Sequence, residues 1–310
     1  MSSIQMDAIR ITTTEMTNSG LPAFGEDIDP QRLRDAVETA QAAMPLQDGV
    51  SYEQTTLGGC EAELSMPSYA REDALILYFH GGGLVCGNAR TSRGYAGMLA
   101  GETRIPVYSF SYALAPERPY PAALDDCVAA YLDAMEKHPD VPIILIGESG
   151  GALLCLTTAL RLRDEGVRSP AGVVANSPVI DFSGVLDHDH TGWDDGTIKK
   201  GGLGMLAKLY CPDPTMRTDP LVSPLYADYK DFPPLFVSWD QGETLAADAE
   251  KLIEIATAAR VPVEQDRFRG CFHAFAPVGR NAPEGAKLLD DTMAFMFRHL
   301  HDQGLDFEEA

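Results

Sequence analysis

Ile143-Ile144-Leu145-Ile146-Gly147-Glu148-Ser149-Gly150-Gly151-Ala152-Leu153-Leu154 is the stretch whose reading decides the fold. An apolar run ends in a glycine-flanked serine, and a second apolar run of helical pattern follows. Runs of the first kind fit strands buried on both faces of a parallel sheet. Glycines on either side of Ser149 permit a sharp strand-to-helix turn that lifts the hydroxyl above the sheet. The helix behind it points its first N–H groups toward developing negative charge. G-x-S-x-G alone also describes an ordinary glycine turn. Its place between a strand and a helix makes Ser149 a candidate nucleophile.

The same alternation extends in both directions. Strands are predicted over 50–57, 60–65, 74–79, 107–112, 142–146, 172–176, 235–239 and 263–268. Helices are predicted over 30–43, 92–103, 122–137, 150–163, 203–210, 245–259 and 285–300. Pro121 opens the third of these, a first-turn position that tolerates proline. This is an α/β chain with a mostly parallel central sheet flanked by helices. At 310 residues it is long enough for one large domain. Residues 1–48 hold one helical pattern and precede the sheet, so they read as an N-terminal cap segment. Residues 49–310 form the main domain. Within it, 182–229 breaks the pattern and reads as a cap insertion.

A second glycine motif, His80-Gly81-Gly82-Gly83, follows the strand at 74–79. Glycines let the backbone approach a ligand and turn N–H groups toward it. The N–H groups of Gly81, Gly82 and Gly150 would hold a tetrahedral oxyanion. His80 reads as a support for that loop. A serine nucleophile needs a base, and the base an orienting acid. In this architecture the order is serine, acid, histidine. His188 and His190 sit in the acidic stretch Asp187-His188-Asp189-His190, and His299 and His301 near the C-terminus. His273 follows the last strand, where a loop over the sheet edge would begin, and is the expected base. The acid should follow the strand at 235–239. Asp240 and Glu243 both fit, whereas Asp248, a turn into the helix, reads as a cap or surface group. Glu148 reads as a brace of the serine turn.

Taken together, these motifs resemble the hormone-sensitive lipase family of α/β-hydrolases, from about Ala74 to Phe275. The resemblance also rests on Tyr112-Ala113-Leu114-Ala115-Pro116-Glu117, Pro121-Ala122-Ala123-Leu124-Asp125-Asp126 and Asp219-Pro220-Leu221-Val222-Ser223-Pro224-Leu225. It implies an α/β-hydrolase fold with a small helical cap. It also implies a serine carboxylesterase acting on small, short-acyl esters, with Ser149 as nucleophile and His273 as base. The family spacing of about thirty residues between acid and base selects Glu243, with Asp240 as the alternative. Members usually carry alanine where this chain has Gly150. Asp126 and Asp219 then read as structural anchors. A lactone hydrolase or a secondary-metabolite deacetylase would use the same triad. A non-catalytic receptor, as in the plant gibberellin receptors that resemble this family, is disfavoured because His273 is present. Some members pair through a sheet edge, so a homodimer stays open.

Composition bounds the partners. The chain carries 24 basic and 46 acidic residues, a net charge of −22. That argues against nucleic acid, which needs a basic patch, and against anionic membrane surfaces. It fits solubility by self-repulsion, and salt tolerance is a further expectation. No signal peptide or membrane span is expected. The six scattered cysteines form no C-x-x-C pair, and Cys127 and Cys155 read as core thiols, so a reducing cytoplasmic compartment is expected. Asp187-His188-Asp189-His190 reads as a solvated loop. Neither metal nor cofactor is expected, since the chemistry needs none.

Overall fold

A computed structural model describes residues 2–18, 23–25, 27–42, 46–188 and 197–305. Asp189, His190 and the expected helix end at Ala43 lie outside them. Among the described residues eight strands form one sheet in the order β1-β2-β4-β3-β5-β6-β7-β8. They are β1 (Val50–Leu57), β2 (Cys60–Pro67), β3 (Leu75–Phe79), β4 (Val107–Phe110), β5 (Ile143–Glu148), β6 (Gly172–Asn176), β7 (Leu235–Asp240) and β8 (Val263–Phe268). β2 is antiparallel to both its neighbours, β1 and β4; every pairing from β4 to β8 is parallel. This is the expected α/β-hydrolase sheet.

The helices are α1 (Ile4–Asn18), α2 (Pro30–Ala42), α3 (Arg93–Thr103), α4 (Ala122–Lys137), α5 (Gly150–Asp164), α6 (Gly202–Tyr210), α7 (Ala246–Ala258) and α8 (Pro283–His301). β3 shows why both faces of the sheet are covered. All five of its residues are buried, and strand side chains alternate between faces. Leu75, Leu77 and Phe79 enter the core packed by α4, α5 and α7. Ile76 and Tyr78 enter the opposite core, under α3 and α8. Full burial of each such side chain stabilises by about 1.5–3 kcal/mol. The parallel strands all point their C-terminal ends one way, so the loops after β3, β5, β6, β7 and β8 gather at one edge.

α1 was not expected. Met6 on it is fully buried against α8, and the Ser3 hydroxyl just before it donates to Glu284 at 2.7 Å. α2 is fastened elsewhere. Arg34 donates to the carbonyls of Val85 and Ala115, at 2.8 and 3.1 Å, and pairs with Glu117. Phe24, before α2, forms a parallel bridge with Ile198, before α6. Among the described residues no helix is long and apolar enough to cross a membrane.

Candidate active site

β5 delivers Ser149 and α5 starts on the next residue. Ser149 adopts φ 53° and ψ −121°, a conformation an L-residue keeps only when its surroundings enforce it. Its amide donates to the Asn176 carbonyl on β6, at 2.9 Å. Position 150 lacks a side chain, yet α5 begins there regardless. A Cβ would stand 3.1 Å from Leu84 Cγ, so the glycine leaves room for the loop after β3.

His273 lies in the loop after β8 and is 4% exposed. Its Nε2 is 2.9 Å from Ser149 Oγ. Its Nδ1 is 3.4 Å from Oε2 of Glu243, which is fully buried in the turn between β7 and α7. Serine, imidazole and carboxylate thus stand in line. The same Glu243 oxygen accepts a 2.8 Å hydrogen bond from the hydroxyl of Ser177. Asp240 is engaged by backbone donors. Its carboxylate accepts from the amides of Gly242 and Cys271, both at 2.8 Å. It therefore ties the turn that carries Glu243 and the loop that carries His273 to the end of β7.

The His80–Cys86 loop lies beside Ser149. Gly82 has φ +114°, and a Cβ there would stand 2.2 Å from the Cys86 carbonyl. The Gly82 carbonyl accepts from the amides of Val85 and Cys86, which closes the turn. His80 is 3% exposed and its ring stacks on Tyr112 at 4.0 Å. Tyr112 donates its hydroxyl to the His80 carbonyl at 2.6 Å, and His80 Nδ1 lies 2.7 Å from the Gly81 carbonyl. Burial depresses the His80 pKa to about 4. The imidazole is neutral near pH 7 and built into the loop.

A cavity of about 210 Å³ opens over these groups. Gly81, Gly82, Glu148, Ser149 and His273 line it, with Phe24, Val37 and Thr197 from the segments around α2 and before α6. Glu148 faces it too, accepting from the Tyr78 hydroxyl at 2.8 Å. Burial raises the pKa of its carboxyl, against the pull of Tyr78, His273 and the Gly81 amide. Among the described residues no cluster of three or more His, Cys, Asp or Glu side chains is arranged to hold a metal ion.

Other sequence candidates fall elsewhere. Asp126 accepts from the Ala113 amide at 2.8 Å and Asp219 from that of Leu221 at 2.8 Å, so both brace loops. His299 packs on Phe295 in α8. Asp248, expected at the surface or as a cap, is fully buried. It accepts from the Ile180 and Asp181 amides and lies 2.5 Å from His188 Nε2. His188 is thus fastened to the core, and the solvated-loop reading fails at that residue. No signal in the sequence assigned a role to Ser177, nor to Tyr112 beyond its place in a family motif, because their contacts come from distant chain segments.

Comparison with known proteins places these observations in a family. Residues 76–277 match the model of a family described as having the alpha/beta hydrolase fold. An acetyl-hydrolase of Streptomyces hygroscopicus is 30% identical over 273 residues, covering 87% of this chain and 90% of its own. An esterase of Acinetobacter venetianus is 30% identical over 275 residues, covering 87% of this chain and 89% of its own. The crystal structure of an esterase from the bacterial hormone-sensitive lipase family superposes with a TM-score of 0.89. It is 30% identical, over 97% of this chain and 99% of that one.

Proposed function

Because the chain belongs to the hormone-sensitive lipase family of α/β-hydrolases and is a carboxylic ester hydrolase, we propose that it cleaves small, short-acyl esters through an acyl-serine intermediate. The observation that carries this reading is the alignment of Ser149 Oγ, His273 and Glu243, at 2.9 and 3.4 Å, with Ser149 and His273 on the wall of the cavity and Glu243 buried behind them.

His273 Nε2 takes the hydroxyl proton as Ser149 Oγ bonds to the ester carbonyl carbon. The carbonyl oxygen becomes an oxyanion, held by the N–H groups of Gly81, Gly82 and Gly150. Glu243 keeps the imidazole oriented and stabilises its positive charge. The bond to the alcohol oxygen then breaks, and His273 returns the proton to that oxygen. Water enters, gives a proton to His273 and bonds to the acyl carbon; the bond from that carbon to Ser149 Oγ then breaks, His273 returns the proton to Oγ, and the acid leaves. Asp240, engaged by two backbone amides, is the poorer choice of acid. His80, neutral and walled in by Tyr112, supports the oxyanion loop.

Residues 1–48 and part of 182–229 form the cap of this site. Phe24, Val37 and Thr197 support that division, since they close the cavity from outside the sheet edge. The volume of about 210 Å³ suits small acyl and alcohol groups, and the acetyl-hydrolase relative points the same way. Six buried free thiols fit a reducing, cytoplasmic setting.

Ser149→Ala is expected to abolish turnover of p-nitrophenyl acetate and butyrate while leaving the melting temperature near that of the parent. A fluorophosphonate probe should label the parent and spare the variant. Full activity in Ser149→Ala would reject the assignment.

A further inference from the structure

Ser177 follows the last residue of β6 with φ +46°. Serine rarely adopts that left-handed conformation. Its surroundings enforce it. The Ser177 amide donates to the Ser238 carbonyl on β7 at 2.7 Å, and the preceding carbonyl, of Asn176, receives the amide of Ser149. The backbone here is therefore bolted to the nucleophile turn on one side and to the acid-bearing strand on the other.

The hydroxyl uses that fixed position twice. It donates to Glu243 Oε2 at 2.8 Å and accepts from the Ala274 amide at 3.0 Å. One oxygen atom thus joins the turn that carries Glu243 to the loop that carries His273. The carboxylate oxygen it grips is the one that faces His273 Nδ1. We propose that Ser177 is a positioning residue whose hydroxyl holds the Glu243 carboxylate against His273. The inference rests on the reading of Glu243 as the acid. A carboxylate turns easily about its last bond, and a donor fixed by strained backbone removes that freedom. The orientation matters most when His273 is charged, which is in the transition state. Its loss should lower kcat and leave KM alone.

The test uses Ser177→Gly, because glycine accepts a positive φ without strain. Ser177→Ala is the second variant if the glycine form loses its fold. Glu243→Gln and the double variant complete a cycle, with p-nitrophenyl butyrate as substrate and thermal melts as the check on folding. Ser177→Gly should lose about tenfold or more in kcat, as for a lost hydrogen bond to a charged group. Its KM should stay within about twofold. In the Glu243→Gln background the same change should cost almost nothing further, since the carboxylate it acts through is gone. Unchanged kcat in Ser177→Gly beside a collapse in Glu243→Gln would overturn the role of Ser177. Losses that multiply in the double variant would also overturn it, by showing that Ser177 acts apart from Glu243. Near-normal kcat in Glu243→Gln would instead overturn the acid assignment itself.

Discussion

Gly82 illustrates how tightly the residue scale is constrained. With φ +114° and the Cys86 carbonyl 2.2 Å from any added Cβ, Gly82→Ala cannot keep this loop in place. If its N–H serves the oxyanion, kcat should fall about 100-fold or more, as when one such donor is removed. KM should change much less, because the oxyanion exists only past the ground state. Steady-state kinetics on p-nitrophenyl butyrate would decide, and a change confined to KM would remove Gly82 from the role. Ser149 and His273, which the structure brings to 2.9 Å, each sit next to a local signal in the sequence: the glycine-flanked turn, or the end of the last strand. Glu243 is singled out in the sequence only by the family spacing, since Asp240 satisfies the same local pattern. In the structure Asp240 accepts from the Gly242 and Cys271 amides, while Glu243 Oε2 lies 3.4 Å from His273 Nδ1, which is what favours Glu243 as the proposed acid. Ser177 gave no signal, because its partners lie 66 and 97 positions away in the chain.

Elements were readable where hydrophobic periodicity carried them, which is why each predicted strand has an observed counterpart. α1 was not, for a physical reason. Its run Thr12-Thr13-Thr14 has poor helix propensity. All three hydroxyls turn back to carbonyls four residues earlier. Contacts with α8, not local preference, hold it. α7 teaches the same lesson through Asp248, whose burial no local pattern announced. Its carboxylate joins α7 to the loop after β6 through Ile180 and Asp181, and to His188. Burial opposes a charge on His188, but the adjacent carboxylate prevails and its pKa is raised above 6.5. Burial also raises Asp248; the donors converging on it favour the carboxylate, so the charged pair is the form to argue from. A raised folded-state pKa means that the folded protein binds this proton more tightly than the unfolded chain. The stabilisation is therefore complete below the unfolded value, about 6.5, and fades as pH rises through the raised value. His188→Asn should lower the melting temperature most near pH 6, with a deficit that shrinks as pH rises through the raised folded-state value. A deficit independent of pH would mean that His188 is uncharged in the folded protein.

At the scale of the whole molecule, charge is the property that local structure leaves unbalanced. An excess of 22 negative charges on 310 residues repels itself more in the compact state than in the unfolded chain. Two effects of added salt then oppose each other. Screening weakens surface ion pairs such as Arg34–Glu117 and the links of Arg280 to Glu102 and Asp290. Exposed pairs of this kind contribute only about 0–1 kcal/mol each. Screening also relieves the repulsion among all the unpaired carboxylates, and it acts over the whole surface once the Debye length falls from about 10 Å at 0.1 M to about 3 Å at 1 M. The second effect should win. The melting temperature at pH 7.5 should rise as sodium chloride goes from about 0.05 to 1 M, with most of the gain in the first few tenths molar, where the Debye length shortens most. Sulfate is avoided, because it strengthens apolar burial in its own right. The same salt step near pH 4.5, where the sequence has no net charge, should give little gain, since the repulsion is then absent. A melting temperature that is flat or falls with salt at pH 7.5 would dismiss salt tolerance as the meaning of the acidic surface. An equal rise at both pH values would assign the effect to apolar burial instead of charge.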